Sequence, residues 1–274
     1  MFTIEKILDE ARNEGATDVY LMTGSIPKYR KAGKIKNLNY PKLTEEDMKK
    51  ITINMMGELQ REQFRVDKET IFAYETQNGN RYRVNIFRQN ELITASIRCV
   101  NNNIKDVAIS EEIMALAEKR SGIVVIAGSA GAGKSTLLNA IATKLNSDSS
   151  CSIVSIENPV EYIYKDGNSF VIQRCIGQDV QSYAMAVKNS LKINSDIIII
   201  DEISDEETMK AALDAAMAGA FVLTTIDCAE KDMVNNRING LCSESAIVKK
   251  YINKVIFASV TYENQKSEYI YEII

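Results

Sequence analysis

One stretch carries the densest chemical signal in the chain: Gly128-Ser129-Ala130-Gly131-Ala132-Gly133-Lys134-Ser135-Thr136. It satisfies the phosphate-loop pattern of a glycine, four residues, then Gly-Lys-Ser/Thr. Residues with little or no side chain let successive backbone N–H groups curl around a phosphate with no Cβ in the way. A helix opening at Lys134 would aim its positive dipole end at the same anion. Lys134 is expected to reach the β- and γ-phosphates and the Ser135 hydroxyl to ligate Mg²⁺. Ser129, Ala130, Gly131, Ala132, Gly133 and Thr136 complete the cradle. The alternative is a glycine-rich turn with a chance lysine. Against it, the apolar run Ile123-Val124-Val125-Ile126-Ala127 leads in, and Leu137, Leu138, Ile141 and Leu145 follow at helical spacing. That is the strand–loop–helix setting the chemistry requires.

A phosphate site that does chemistry also needs carboxylates. Asp196-Ile197-Ile198-Ile199-Ile200-Asp201-Glu202 is a β-branched run ending in two acids, the pattern of a buried parallel strand delivering them at its C-terminal edge. Asp201 and Glu202 fit a Walker B pair, one acid holding Mg²⁺ and the other polarising a water. Glu157 and Glu161 leave the strand Ser152–Ile156; if that strand lies beside the phosphate loop, Glu157 points at the γ-phosphate. Each is otherwise a solvated loop acid. Arg81, Arg83, Arg88 and Arg98 lie far upstream on strands. They are read either as a solvated strand face or as cations that swing in on phosphate.

The elements that must position these groups are legible in order. Thr3 caps a helix with the stripe Ile4, Ile7, Leu8 and Ala11, ending near Gly15. A strand at 18–22 and a hairpin at 26–35 follow. Thr44 with three acids opens another helix, and a second ends near Phe64. Between Lys68 and Val100 the apolar period becomes two, giving strands at 70–76, 81–89 and 92–100, with Asn78-Gly79 as the hairpin turn. The first hundred residues form an α+β domain, 101–109 a polar linker, and 110–274 a domain of alternating strands and helices with a parallel sheet. In that second domain helices are expected at 180–192 and 205–217, with late strands at 221–226, 255–262 and 269–274.

Composition narrows the partners. A net charge of −4 gives no electrostatic case for nucleic acid. No apolar run approaches the ~20 residues of a membrane span, and the first residues lack the apolar centre of a secretory signal. Five scattered cysteines with no CxxC pattern read as reduced thiols, and the absence of histidine excludes histidine catalysis. A GTPase would need an Asn-Lys-x-Asp segment; Asn253-Lys254-Val255-Ile256 lacks the acid.

Across nearly its whole length the chain resembles the type II/type IV secretion ATPase superfamily, most closely the pilus retraction (PilT-like) motors. Gly15-Ala16-Thr17-Asp18-Val19-Tyr20-Leu21 resembles the family's "GASDLHL" segment. Arg81-Tyr82-Arg83-Val84-Asn85-Ile86-Phe87 resembles its "RFRVN-F" strand. Ile156-Glu157-Asn158-Pro159-Val160-Glu161 is similar to its Asp box, "IEDPIE", and Gln173-Arg174 to the "QR" that follows. Asp196–Thr208 resembles "DIILVGEMRDLET", and Ala215–Asp227 the approach to the His box.

The resemblance implies an α/β fold: a RecA-like P-loop domain preceded by a smaller PAS-like α+β domain. It also implies a homohexamer, cytoplasmic and peripheral at the inner face of the cell membrane. Such a ring hydrolyses ATP with Mg²⁺ against an inner-membrane pilus platform protein. It assigns Glu157 the Asp-box catalytic role and Glu202 that of the Walker B glutamate. Arg83 and Arg98, with Arg81 behind them, take the interdomain arginine role. The sequence departs from the pattern at Asn158, at Asp227 in the His-box position, at Tyr20, at Ala220, and in lacking the family's C-terminal "AIRNLIRE" region. Those departures raise the alternative of an ATP-binding subunit that hydrolyses little.

Overall fold

A computed structural model describes residues 3–100, 107, 109–117, 121–242, 245–263 and 266–274. The chain divides into two compact units, Met1–Asn102 and Asn103–Ile274. The expected linker, 101–109, lies almost wholly outside the described residues.

In the first unit α1 (Ile4–Asn13) starts where the Thr3 side chain accepts a hydrogen bond from the Lys6 N–H. After β1 (Asp18–Met22), β2 (Lys28–Lys31) and β3 (Lys34–Asn37), Thr44 and Asp47 form a reciprocal capping box on α2 (Glu45–Met55). Then come α3 (Glu58–Asp67), β4 (Glu69–Glu75), β5 (Arg81–Gln89) and β6 (Leu92–Cys99). Helix α3 runs past the expected stop at Phe64 and ends at Lys68, which adopts a left-handed φ of 64°. The strands form one antiparallel sheet in the order β3-β2-β1-β6-β5-β4. Their period-two pattern sends Val19, Leu21, Val84, Ile86, Ala95 and Ile97 to one face, packed on Ile7, Leu8 and Met48 of the helices. Each fully buried aliphatic side chain of this kind contributes about 1.5–3 kcal/mol before conformational entropy is counted. The other face keeps Asp18, Tyr20, Arg83 and Arg98.

The second unit contains α4 (Glu111–Ala117), β7 (Gly122–Gly128), α5 (Lys134–Asp148), β8 (Ser152–Glu157), β9 (Phe170–Cys175), α6 (Tyr183–Lys192) and β10 (Ile197–Ile200). It continues with α7 (Glu206–Met217), β11 (Phe221–Asp227), α8 (Val234–Leu241), α9 (Ser245–Tyr251), β12 (Ile252–Glu263) and β13 (Lys266–Ile273). Helix α6 begins three residues later than expected, because Val180 bridges to Ile176 and the Ser182 hydroxyl makes the cap. The sheet order is β13-β12-β7-β11-β10-β8-β9, parallel from β12 to β9, with β13 antiparallel at one edge. Apolar clusters cover both faces, so β7 and β10 are buried throughout, as a parallel sheet demands.

The condition that would point Glu157 at the γ-phosphate by strand adjacency is not met. Strand β8 does not lie beside the phosphate-loop strand β7; β11 and β10 stand between them. Later segments of chain fill the gap that the β7–α5–β8 crossover leaves, so neighbours in sequence are not neighbours in the sheet. Functional side chains then gather along the C-terminal edge, where open α/β sheets bind ligands.

Candidate nucleotide site

The phosphate loop begins where β7 ends. A Cβ on Gly128 would lie 2.4 Å from the Ala258 carbonyl oxygen, so only glycine lets β12 approach this closely. Gly131 and Gly133 take φ values of 82° and 86°, a left-handed region that favours glycine, and a Cβ on Gly131 would meet nothing within 4 Å. Helix α5 starts at Lys134 with no side-chain cap and no acid in its first turn. Its leading N–H groups are therefore left for an anion. Lys134 is buried; its Nζ donates to the Ser129 carbonyl at 2.9 Å and pairs with Asp227 Oδ1 at 2.6 Å. Ser135 is exposed at the loop's mouth and Thr136 is half-buried.

The strand register sets out the acids. Asp227 lies opposite Gly128, and Ile200 lies between Thr224 and Ile156. Asp201 and Glu157 therefore emerge side by side, one residue beyond that pairing. The Thr225 hydroxyl donates to the Asp201 carbonyl at 2.6 Å, and the Asn158 N–H donates to Asp201 Oδ2 at 2.7 Å. Oδ1 of Asp201 is buried without a hydrogen-bond partner. Burial pushes the Asp201 carboxyl up to about 6, with the Tyr183 hydroxyl and the Asn158 and Glu202 N–H groups pulling the other way. Glu157 is buried more completely. Desolvation pushes it up to about 7, against hydrogen bonds to Oε1 from Ser155 Oγ at 2.7 Å and Gln173 Nε2 at 3.1 Å. Two carboxyls with raised pKa values at one sheet edge are the electrostatic mark of a functional site. Glu202 is exposed just past the strand end, and Glu161 is half-buried.

A polar chain joins the loop helix to these acids. Asn139 Nδ2 donates to the Ser135 carbonyl at 2.8 Å, and the Tyr164 hydroxyl donates to Asn139 Oδ1 at 2.5 Å. The Tyr164 N–H donates to Gln173 Oε1 at 3.1 Å, while Gln173 Nε2 holds both Glu157 and the Tyr162 carbonyl. Sequence reasoning did not find Ser155, Tyr164 or Asn139. The signal for Ser155 was present, since two residues back along a strand puts it on the face of Glu157.

The residues fit a nucleotide and its cation. The uncapped helix start and the open Gly131 side suit phosphate, and the partnerless Oδ1 of Asp201 suits a cation or its water. Among the described residues no three acid or thiol groups converge to hold a metal alone.

The expected arginines lie in the first unit. Arg83 and Arg98 face each other across β5 and β6; Arg98 Nε pairs with Asp18 Oδ1 at 3.2 Å, and Asp18 lies opposite Arg30. Arg81 pairs with Glu75 at 2.6 Å, and Arg88 packs its guanidinium over the Phe64 ring.

Residues 2–262 match the T2SSE family, "Type II/IV secretion system protein". The type IV pilus ATPase PilU of Pseudomonas aeruginosa is 31% identical over 237 residues, which are 85% of this chain and 62% of that protein. This chain thus spans under two thirds of that relative's length. The retraction ATPase PilT of the same organism is 28% identical, over 92% of this chain and 74% of its own. Among solved structures, the pilus retraction motor PilT with bound ADP superposes with a TM-score of 0.87 at 27% identity, covering 100% of this chain and 83% of that one. The Legionella pneumophila ATPase DotB, at a TM-score of 0.82 and 24% identity, shares the fold. The chain belongs to the type II/IV secretion system protein family, as a PilT-like member of its secretion ATPases.

Proposed function

We propose that this protein binds ATP at the Gly128–Thr136 loop and hydrolyses it to power type IV pilus dynamics. The observation that carries the proposal is that an uncapped helix start, the buried Glu157 and the partly buried Asp201, both acids of raised pKa, lie along one sheet edge. The backbone amides of Ser129 to Gly133 and the Lys134 ammonium grip the phosphates. Glu157, the most buried acid among the described residues, accepts the proton of the attacking water, held at Oε1 by Ser155 and Gln173. Ser135, Asp201 and Glu202 would hold Mg²⁺, which when bound would supply positive charge against the phosphates. Arg83 and Arg98 serve as the catalytic arginines.

The wider setting follows from the relatives, which are named as pilus ATPases, one of them a retraction motor with bound ADP. The protein works as a homohexameric ring whose first unit is a PAS-like domain. The ring sits at the cytoplasmic face of the membrane against a platform protein. No described helix is long and apolar enough to cross a membrane. A second reading, an ATP-binding subunit with little hydrolysis, is favoured by Asp227: an acid in the His-box position holds the lysine that ATP needs. Solution mass with and without ATP, paired with phosphate release on the same sample, separates the two. A motor assembles and turns over repeatedly; the second reading gives tight binding and no phosphate from the assembled ring.

A further inference from the structure

We infer that the β12–β13 hairpin is the base-binding wall of the nucleotide site, with Tyr269 and Tyr271 as the surface on which the purine packs. The inference rests on the nucleotide reading above and addresses the end of the ligand that the loop and the acids leave unassigned.

Gly128 at the end of β7 lies opposite Ala258, and Ala258 lies opposite Tyr271. Strand β7 stops there, but β12 runs on to Glu263 and β13 returns from Lys266. The hairpin therefore stands past the strand ends, beside the phosphate loop. Tyr269 and Tyr271 are two residues apart on β13 and so share a face. Both touch the loop's last glycine. The Tyr271 hydroxyl donates to the Gly133 carbonyl at 3.3 Å, and a Cβ on Gly133 would lie 2.7 Å from Tyr269 Cδ1 and 2.8 Å from the Tyr271 hydroxyl oxygen. Burial lifts the Tyr271 hydroxyl to about 12, so it stays a neutral donor. Tyr269 remains 47% exposed, a ring set against the loop with area still open.

Direction supplies the second argument. Asp227, Asp201 and Glu157 all lie on the β11–β10–β8 side of β7. A triphosphate whose γ end faces those acids sends its nucleoside the opposite way, toward β12 and β13. An aromatic ring offered there stacks on the face of a base and covers apolar area that the phosphates do not use. Tyr269 stacks; Tyr271 braces the loop through Gly133 and extends the apolar surface. Stacking reads the face of the ring and not its edge, so either purine is served.

Calorimetric titration of the full chain with ATP and, separately, with inorganic triphosphate tests this. Tyr269→Ala is expected to weaken ATP about tenfold while triphosphate stays within about twofold, since stacking carries the difference. Tyr269→Phe, which keeps the ring, is expected to bind ATP within about twofold of wild type. Retained triphosphate binding also shows that the variant has folded. Equal losses for both ligands would overturn the inference, leaving the tyrosines as props for the loop; so would unchanged ATP binding in Tyr269→Ala. If the wild-type chain binds neither ligand, the nucleotide reading itself fails and this inference falls with it.

Discussion

Two buried charges decide how the site behaves before any ligand arrives. Glu157 holds its proton up to about 7 instead of the ordinary 4.5 because burial penalises the carboxylate. A raised folded-state pKa contributes stability that is complete below the unfolded value and lost as pH climbs through the folded one. Glu157→Gln, which never ionises, is therefore expected to match wild type near pH 4 in chelator. It should gain on wild type between pH 4.5 and 7, by on the order of 3 kcal/mol at the plateau. Denaturant unfolding at a series of pH values measures this; a constant difference across the range would remove the desolvation argument. Lys134 gives the second case. Its ammonium is held by Asp227, whose carboxylate is half-exposed, so the pair contributes about 1 kcal/mol or less. Asp227→Asn is expected to tighten ATP binding by about two- to fivefold in calorimetry, because the phosphate no longer competes with a carboxylate. Weaker binding in that variant would mean that Asp227 serves the ligand. Lys134 and Asp201 were legible from residue types and spacing alone. That Asp227 would hold Lys134 was not, because a contact across two strand ends leaves no local pattern.

Among the elements, strands read more clearly than their arrangement. The period-two runs gave β5 at its observed bounds, and the Thr3 cap foretold where α1 begins. Sheet order did not follow from chain order: β8, the next strand after the loop, lies three places from β7. Alternation records which face of a strand is buried but not which strand it pairs with. The join between β7 and β12 is a tight one, and the sequence shows it only as a glycine. Gly128→Ala would press a methyl to 2.4 Å from the Ala258 carbonyl and prise the two strands apart. The expected cost is about 2–4 kcal/mol of stability, read as a lower denaturant midpoint. An unchanged midpoint would show that the two strands can separate freely.

At the scale of the whole molecule, the chain divides between Asn102 and Asn103, within the polar stretch 101–109 read as a linker, while the change of period at Lys68 falls inside the first unit. The first unit carries Arg83 and Arg98 opposite each other on one sheet face; the second presents a loop and acids at a sheet edge. A single chain's sequence carries no direct record of what ring it joins, since symmetric contacts need no internal partner. Glu157 is expected to serve the cleavage of a triphosphate held by Lys134. Phosphate release by the assembled protein with ATP and Mg²⁺, wild type against Glu157→Gln, measures this directly. Repeated turnover is expected in wild type, and at least a ~100-fold loss in the variant with ATP binding retained. Undiminished phosphate release from Glu157→Gln would contradict it.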